Sequence, residues 1–384
     1  MPKAPTVKPY VFHSFLSRLY FFIPILVLWF QAHGFTQLQV TILISIFFLS
    51  VTIAEIPSGL FSDHFGHKWA MMFCGLFQSI GVIFLAFPFH IGMAVVGEIF
   101  MGIGQAFYTG SKEAYLFNFL ENRAVSDRYQ VDYAQGKFFE FVGMGIASLI
   151  GGSVYIFSGR LPFFLSAIAF LVAAIVAITL HEPPKTRKTA SAGAESFLMG
   201  VREIRSGSKN LRTMVGYYSL LFTTILVFIV TLIQPYLKEV GVPLAYFGLV
   251  FLFFQMASMG GSQLARHLPN RFLKRGNFFL LAFFFTLTLS ALALIHHPFS
   301  FLLASLVYFI WGLFLPMTSQ AVNQLISSER RATVLSTQDF LQHLLFVVIA
   351  PVLGWITDSW GLPMTLWALG GLTTLSALIV LRFR

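Results

Sequence analysis

The sequence predicts an all-α integral membrane protein of twelve transmembrane helices, arranged as two pseudo-symmetric six-helix bundles with both termini in the cytoplasm. Three observations lead there. Of 384 residues, 57% are hydrophobic and 10% charged, with a mean hydropathy of +0.78, against about 25% charged residues in an average soluble chain. The apolar residues fall into runs of about 20, the length that crosses a hydrocarbon core. The basic residues lie in short segments between those runs, concentrated in every second one.

Taken in order, the runs predict helices over 12–33, 38–61, 69–88, 92–118, 132–157 and 161–180, then 213–237, 244–265, 277–295, 299–326, 332–357 and 361–381. Residues 1–181 make the first half and 213–384 the second. Residues 182–212 form a basic cytoplasmic linker, whose Pro, Ala, Ser, Lys and Arg content suits a solvated connection, with a short amphipathic helix around Phe197–Ile204. The first run is too long for a cleaved signal peptide and lacks a small-residue cleavage site, so it is read as a retained helix. Of 25 Lys and Arg, 20 lie in the termini and in the loops after the even-numbered helices, while Arg160 and Lys238 lie on the opposite face. Basic loops stay in the cytoplasm, which sets the orientation. The formal charge of +10 therefore belongs to loops facing anionic lipid and not to a nucleic-acid surface. A constant shift of 202 residues pairs Gly59 with Gly261, Gly110 with Gly312, Gly152 with Gly354 and Gly159 with Gly361, as parallel repeats of a six-helix half require. The single cysteine, Cys74, excludes an intramolecular disulfide.

The second and third helices are joined by Pro57-Ser-Gly-Leu-Phe-Ser-Asp-His-Phe-Gly-His-Lys68. This stretch resembles motif A of the major facilitator superfamily, G-x-x-x-D-x-x-G-x-[RK], with Gly59, Asp63, Gly66 and Lys68 in register. Gly59 is expected to let two helices approach closely and Gly66 to supply the turn. Asp63 is a carboxylate at a membrane edge, costly unless paired. The resemblance implies that Asp63 and Lys68 act as a cytoplasmic gate and do not touch substrate. The second-half copy is degraded, with Ala265, Leu268 and Asn270 in place of Asp63, Gly66 and Lys68.

Ionised groups at bilayer depth cost about 2.5–3.5 kcal/mol on insertion scales, so each is a functional candidate. On the fourth helix Glu98, Gln105, Thr109 and Lys112 lie within about 40° of one another at helical spacing, and Glu113 sits beside that line. Such a stripe faces a water-filled cavity or a polar partner. In a purely structural reading, Lys112 snorkels to the cytoplasmic edge and pairs there. Glu55, one turn before Gly59, is a membrane carboxyl without an evident local cation, the kind of group a proton carrier uses. Arg18 is read as snorkelling, or as reaching Glu55. On the fifth helix Lys137 and Glu140 are three apart and can pair, followed by a seam of Gly143, Ala147 and Gly151 for close packing. The 202-residue shift places Lys137 on Asp339, and Asp339 and His343 are four apart. Lys137, Glu140, Asp339 and His343 are candidates for a latch between the halves; separate local pairs in each half are the alternative. Gln320, Asn323 and Gln324 offer a polar cavity face in the second half. No phosphate loop, catalytic triad or metal-ligand spacing is present, so no enzyme activity, cofactor or metal is expected.

The superfamily resemblance spans the whole chain. Within it, EIPSGLFSDHFGHK and the fourth helix, GEIFMGIGQAFYTGSKEAYLFNFL, resemble a bacterial subgroup of efflux-like permeases, with Glu55, Glu98 and Glu113 also in matching positions. Three departures stand out. Glu98 replaces an arginine tied to proton transfer, and Asn118 replaces an acidic residue. The fifth-helix antiporter motif lacks its proline at Ser148. The resemblance implies a monomeric secondary active transporter of the bacterial inner (plasma) membrane, working by alternating access and coupled to protons. Its partners would be lipids, protons and a small organic solute, with export favoured. Two alternatives stand beside it. One is an importer of a metabolite or metal-chelate (siderophore-like) solute, anionic or polyol-rich in view of Lys112 and Lys137. The other is a lipid flippase or non-transporting sensor, marked by a lateral groove.

Overall fold

The computed structural model describes residues 7–123, 125–182, 194–206, 208–269, 275–326 and 331–382. Among them every regular element is helical, and nine helices are long and apolar enough to cross a membrane, with shorter apolar helices at Ile23–Ala32 and Phe278–Leu294. Part of the expected linker, 183–193 and residue 207, lies outside the described residues, as does Asn270.

The first expected helix is broken. Helix α1 spans Lys8–Leu16, and the chain then leaves helical form until a single 3-10 turn, Ile23–Ile25, leads into α2, Leu26–Ala32. Helix α3, Gln37–Phe65, runs through Pro57 to the end of the motif A stretch, and α4, His67–Leu85, starts two residues later. The expected 61–69 loop is thus one residue, Gly66, with φ +109°, a backbone conformation open essentially to glycine alone. Helices α5 (Ile91–Glu121), α6 (Tyr129–Tyr155) and α7 (Leu161–Thr179) complete the first set. Helix α8, Ala194–Ser206, is the amphipathic linker helix, longer than expected. The expected 213–237 helix is α9 (Lys209–Val227), a π turn at Phe228–Leu232, and α10 (Ile233–Glu239). Then follow α11 (Phe247–His267), α12 (Arg275–Leu294), α13 (Phe301–Asn323) and α14 (Arg331–Arg382), the last interrupted at Gly361, φ +83°.

Contacts divide the chain into two compact units, Met1–Leu26 with Ile46–Ala194, and Val27–Ser45 with Glu195–Arg384. In the first unit, small residues bring backbones together. A Cβ on Gly81 of α4 would lie 2.8 Å from the Gly97 carbonyl oxygen of α5, and one on Gly102 of α5 would lie 2.6 Å from that of Phe47 on α3. Such close approach lets packing and dispersion hold helices together where lipid gives no hydrophobic drive. In the second unit, Asp358 accepts hydrogen bonds from the backbone N–H groups of Gln37 (2.9 Å) and Leu38 (2.8 Å), capping the start of α3. Gln37 donates from its side chain to the Thr231 carbonyl in the π turn at 2.8 Å, and the Val27 N–H donates to Gln234 at 2.9 Å.

The paired glycines behave differently in the two copies. In the second unit a Cβ on Gly261 of α11 would collide with the Phe309 carbonyl of α13, and one on Gly312 with the Ser258 carbonyl. A Cβ on Gly59 or Gly110 would meet nothing within 4 Å among the described residues. Within the first unit, the described residues therefore make no close approach at Gly59.

Candidate functional site

Helix α6 packs directly against the break after α1. The glycine and alanine seam expected on α6 meets α1 and the following segment. A Cβ on Gly143 would lie 2.6 Å from the Phe15 carbonyl oxygen, and one on Gly151 would collide with that of Phe21. Ala147 joins Leu16, Leu19 and Phe21 in the same apolar cluster. The non-helical Phe21 N–H is satisfied by Ser166 Oγ of α7 at 2.9 Å, so the freed backbone stays hydrogen-bonded at membrane depth, as it must.

Arg18 sits in this break and does not snorkel; it meets Glu140 and Tyr108. Its Nε lies 3.4 Å from Glu140 Oε2 of α6, and its guanidinium stacks over the Tyr108 ring of α5 at 4.2 Å. Lys112 of α5 is also not a snorkelling residue. It is buried, with 2% of its side chain exposed, and its Nζ is ion-paired to Glu140 Oε1 and donates to Tyr108 Oη at 3.0 Å. Lys137 adds a third cation, 3.5 Å from Glu140 Oε2 and 3.7 Å from Glu113. The exposed Glu113 accepts from Tyr133 Oη at 2.9 Å. The local Lys137–Glu140 pair read from spacing is therefore present, within a cluster of three cations and two carboxylates. Buried His13 of α1 lies beside it, with Ser17 Oγ 3.4 Å from its ring nitrogens.

The polar line on α5 divides by environment. Glu98 is buried at 4% exposure, and its Oε1 has no hydrogen-bond partner among the described residues. Gln105 is half-buried. Thr109 is exposed and its hydroxyl bonds back to the α5 carbonyls of Gln105 and Ala106. Glu55 is half-buried on α3. In the second unit Asp339 is exposed and His343 half-buried, one turn apart on α14. Gln320 and Gln324 are exposed at the end of α13, and the side chain of Asn323 lies outside the described residues.

At the motif A turn, Asp63 is exposed, and the Lys68 ammonium lies 5.0 Å from the Trp69 ring centroid. The turn is held by residues that spacing did not single out. Glu182, just past α7, accepts from the backbone N–H of His67 (2.9 Å) and of Lys68 (2.8 Å), capping α4. A Cβ on Gly66 would lie 2.7 Å from the Glu182 carboxyl carbon, so the missing side chain makes the seat for the cap. His67 bridges Ser62 Oγ (2.5 Å) and Asn118 (3.0 Å). With the Asn118 amide donating to Nε2, the Nδ1–H faces Ser62. Asn118, the departure from an acidic residue, thus suits a histidine at position 67. No group of three or more His, Cys, Asp or Glu could hold a metal among the described residues.

The sequence profile of the Major Facilitator Superfamily matches residues 11–348. An uncharacterized MFS-type transporter of Methanocaldococcus jannaschii is 27% identical over 159 residues, 41% of this chain and 40% of the relative; the match thus spans about two fifths of that relative's length. Among solved structures, the nucleoside transporter NupG superposes with a TM-score of 0.84 at 11% identity, covering 98% of both chains. The peptide transporter POT in complex with sulfate gives 0.75 at 18%, covering 98% of this chain and 94% of that one. At such identities the likeness is one of fold.

Proposed function

Because the chain belongs to the major facilitator superfamily, a family of multi-pass membrane transporters, we propose that it is a secondary active transporter of a small organic solute, working by alternating access and driven by protons. In this reading it crosses a bacterial inner membrane twelve times as a monomer, with both termini in the cytoplasm. Glu98 is the observation that carries the proton coupling. An uncompensated carboxylate in a membrane interior costs several kcal/mol, and Glu98 is buried with one oxygen lacking a hydrogen-bond partner. Holding a proton removes that cost. A step that exposes Glu98 to water releases the proton, tying proton movement to the change of access. One charge moved across 100 mV supplies about 2.3 kcal/mol, enough for roughly fifty-fold accumulation per proton. Export has its support in the resemblance to efflux-like permeases; Asp63 and Lys68 serve as gate residues.

The test is reconstitution into vesicles with a trapped pH dye, screening solutes under imposed gradients from each side. A transported solute should move protons with wild-type protein. Glu98→Gln should keep solute exchange and lose proton movement. Wild-type proton flux in both Glu98→Gln and Glu55→Gln would refute the coupling.

One feature favours the lipid-handling alternative. An apolar groove of about 400 Å³ runs between α1 and α6, lined by Val7, Lys8, Val11, Phe12, Phe15 and Phe139 among others. Lipid scrambling in the same vesicles separates the two readings.

A further inference from the structure

Glu140 is the centre of an unbalanced ion cluster. Its carboxylate is buried and meets three cations, Lys112 at Oε1 and both Arg18 and Lys137 at Oε2. The other carboxylate in reach is Glu113, 3.7 Å from Lys137 and 53% exposed. Three positive charges against two negative leaves one in excess, in a setting where an unmatched charge is expensive.

The three cations are not equivalent. Lys112 is closed in, held by Glu140 and Tyr108. Arg18 and Lys137 keep 20% and 34% of their side chains open, and each reaches Glu140 at the long distances of 3.4 and 3.5 Å. They share one oxygen of Glu140, so Arg18 has no carboxylate to itself, and the second carboxylate within reach of Lys137 is the exposed Glu113 at 3.7 Å. Arg18 is held from behind by the Tyr108 ring and by its place in the α1 break, which fixes where its guanidinium is presented. Two partly open cations, set about one carboxylate oxygen and carrying one unmatched charge, make a seat for a second anion.

We propose that Arg18 and Lys137 form the subsite for a single anionic group on the transported solute, a carboxylate or a singly charged phosphate, with Glu140 as the internal anion that bridges the two cations until the solute arrives. This rests on the transport reading and names the solute class for it. A monoanion brings the cluster to neutrality, whereas a cationic solute adds to the excess. Lys112 remains with Glu140 and does not touch solute.

The test uses the purified full-length chain in detergent. Its thermal midpoint is measured with formate, acetate, lactate, benzoate and phosphate, and with formamide, acetamide, lactamide and benzamide as neutral counterparts, at matched ionic strength. A ligand that binds the folded state raises the midpoint by mass action. At least one anion should stabilise where its amide does not. The shift should vanish in Lys137→Gln and in Arg18→Gln and survive in Lys137→Arg. Glu140→Gln removes the competing internal anion and should tighten the same anion by about tenfold, the factor that 1.4 kcal/mol carries. If Glu140→Gln does not fold, the Lys137 pair of variants still decides. A flat response across the anion set, equal stabilisation by the amides, or a shift unchanged by Lys137→Gln overturns the subsite. Proton-linked flux of a neutral solute with no anion effect sinks the subsite alone; anion binding without any flux in vesicles sinks the transport reading alone.

Discussion

Replacing Glu182 with alanine should loosen the start of α4, and the structure sets how much. The carboxylate takes two backbone N–H groups at 2.9 and 2.8 Å. Removing a helix cap costs roughly 0.5–2 kcal/mol, and a negative charge at a helix start adds about 0.3–1 kcal/mol. Glu182 is half-buried, so water screens part of this, and about 2 kcal/mol is a reasonable total. Gly66→Ala carries two penalties. A side chain at φ +109° is strained by about 1–3 kcal/mol, and its Cβ would sit 2.7 Å from the Glu182 carboxyl carbon, which expels the cap. Gly66→Ala should thus cost about 4 kcal/mol, and Gly66→Ala with Glu182→Ala should cost about the same, because the cap is already lost. The coupling between the two sites is then about 2 kcal/mol, well above the near-zero value of independent sites.

Hydrogen exchange of the amides at 66–70 reads this directly, since capped amides exchange through local opening. Glu182→Ala should speed exchange there by about thirtyfold, the factor equivalent to 2 kcal/mol, while α6 and α14 keep their protection. Additive effects of the two substitutions, or unchanged exchange in Glu182→Ala, would refute the account of Gly66 as the seat of the cap.

Two further expectations concern the first unit. Lys112→Met leaves Glu140 with its long contacts to Arg18 and Lys137, and breaking a buried pair from one side costs about 3–5 kcal/mol. Glu140→Leu strands all three cations and should cost more than Lys112→Met in a thermal or denaturant unfolding measurement; a smaller loss would contradict the convergence on Glu140. Gly151→Val forces a side chain into the Phe21 carbonyl. Overpacking costs about 1–3 kcal/mol, so its thermal midpoint should fall well below that of Ser153→Val, whose site is exposed on the same helix; equal midpoints would show that α6 does not press on the break.

The class of the fold was legible because hydropathy is a property of each segment alone. Runs of about 20 apolar residues have one stable solution in lipid, so helices such as α4 and α7 fell within a few residues of the expected limits. The Gly66 turn was legible for the same reason, as a local backbone demand. The pair Lys137–Glu140 and the seam of Gly143, Ala147 and Gly151 followed from helical spacing. What spacing could not supply was the partner. Lys112 lies on the same stripe as Gln105 whether it snorkels or meets Glu140, and only the packing of α6 against α5 decides between them.

The sequence by itself therefore determined a helical membrane protein, the superfamily motif at 57–68, and a set of intramembrane charges concentrated in its first half. The tertiary structure decided which of those charges converge. Within 12–33 the local signal of the break at Ser17–Phe22 is Pro24, which lies in the 3-10 turn that follows it; what the sequence does not show is that α6 backbone contact and the Ser166 hydroxyl meet the chain there. Glu182, read as the first residue of a solvated linker, became the cap of α4 through a contact across 115 residues of chain. Gly102, which spacing did not single out, brings α5 against α3 at Phe47, while a Cβ on Gly59 would meet nothing within 4 Å among the described residues. In each case the local pattern permits several partners, and the free energy that selects one lies in long-range packing and in the cost of leaving a polar group unmatched inside a membrane.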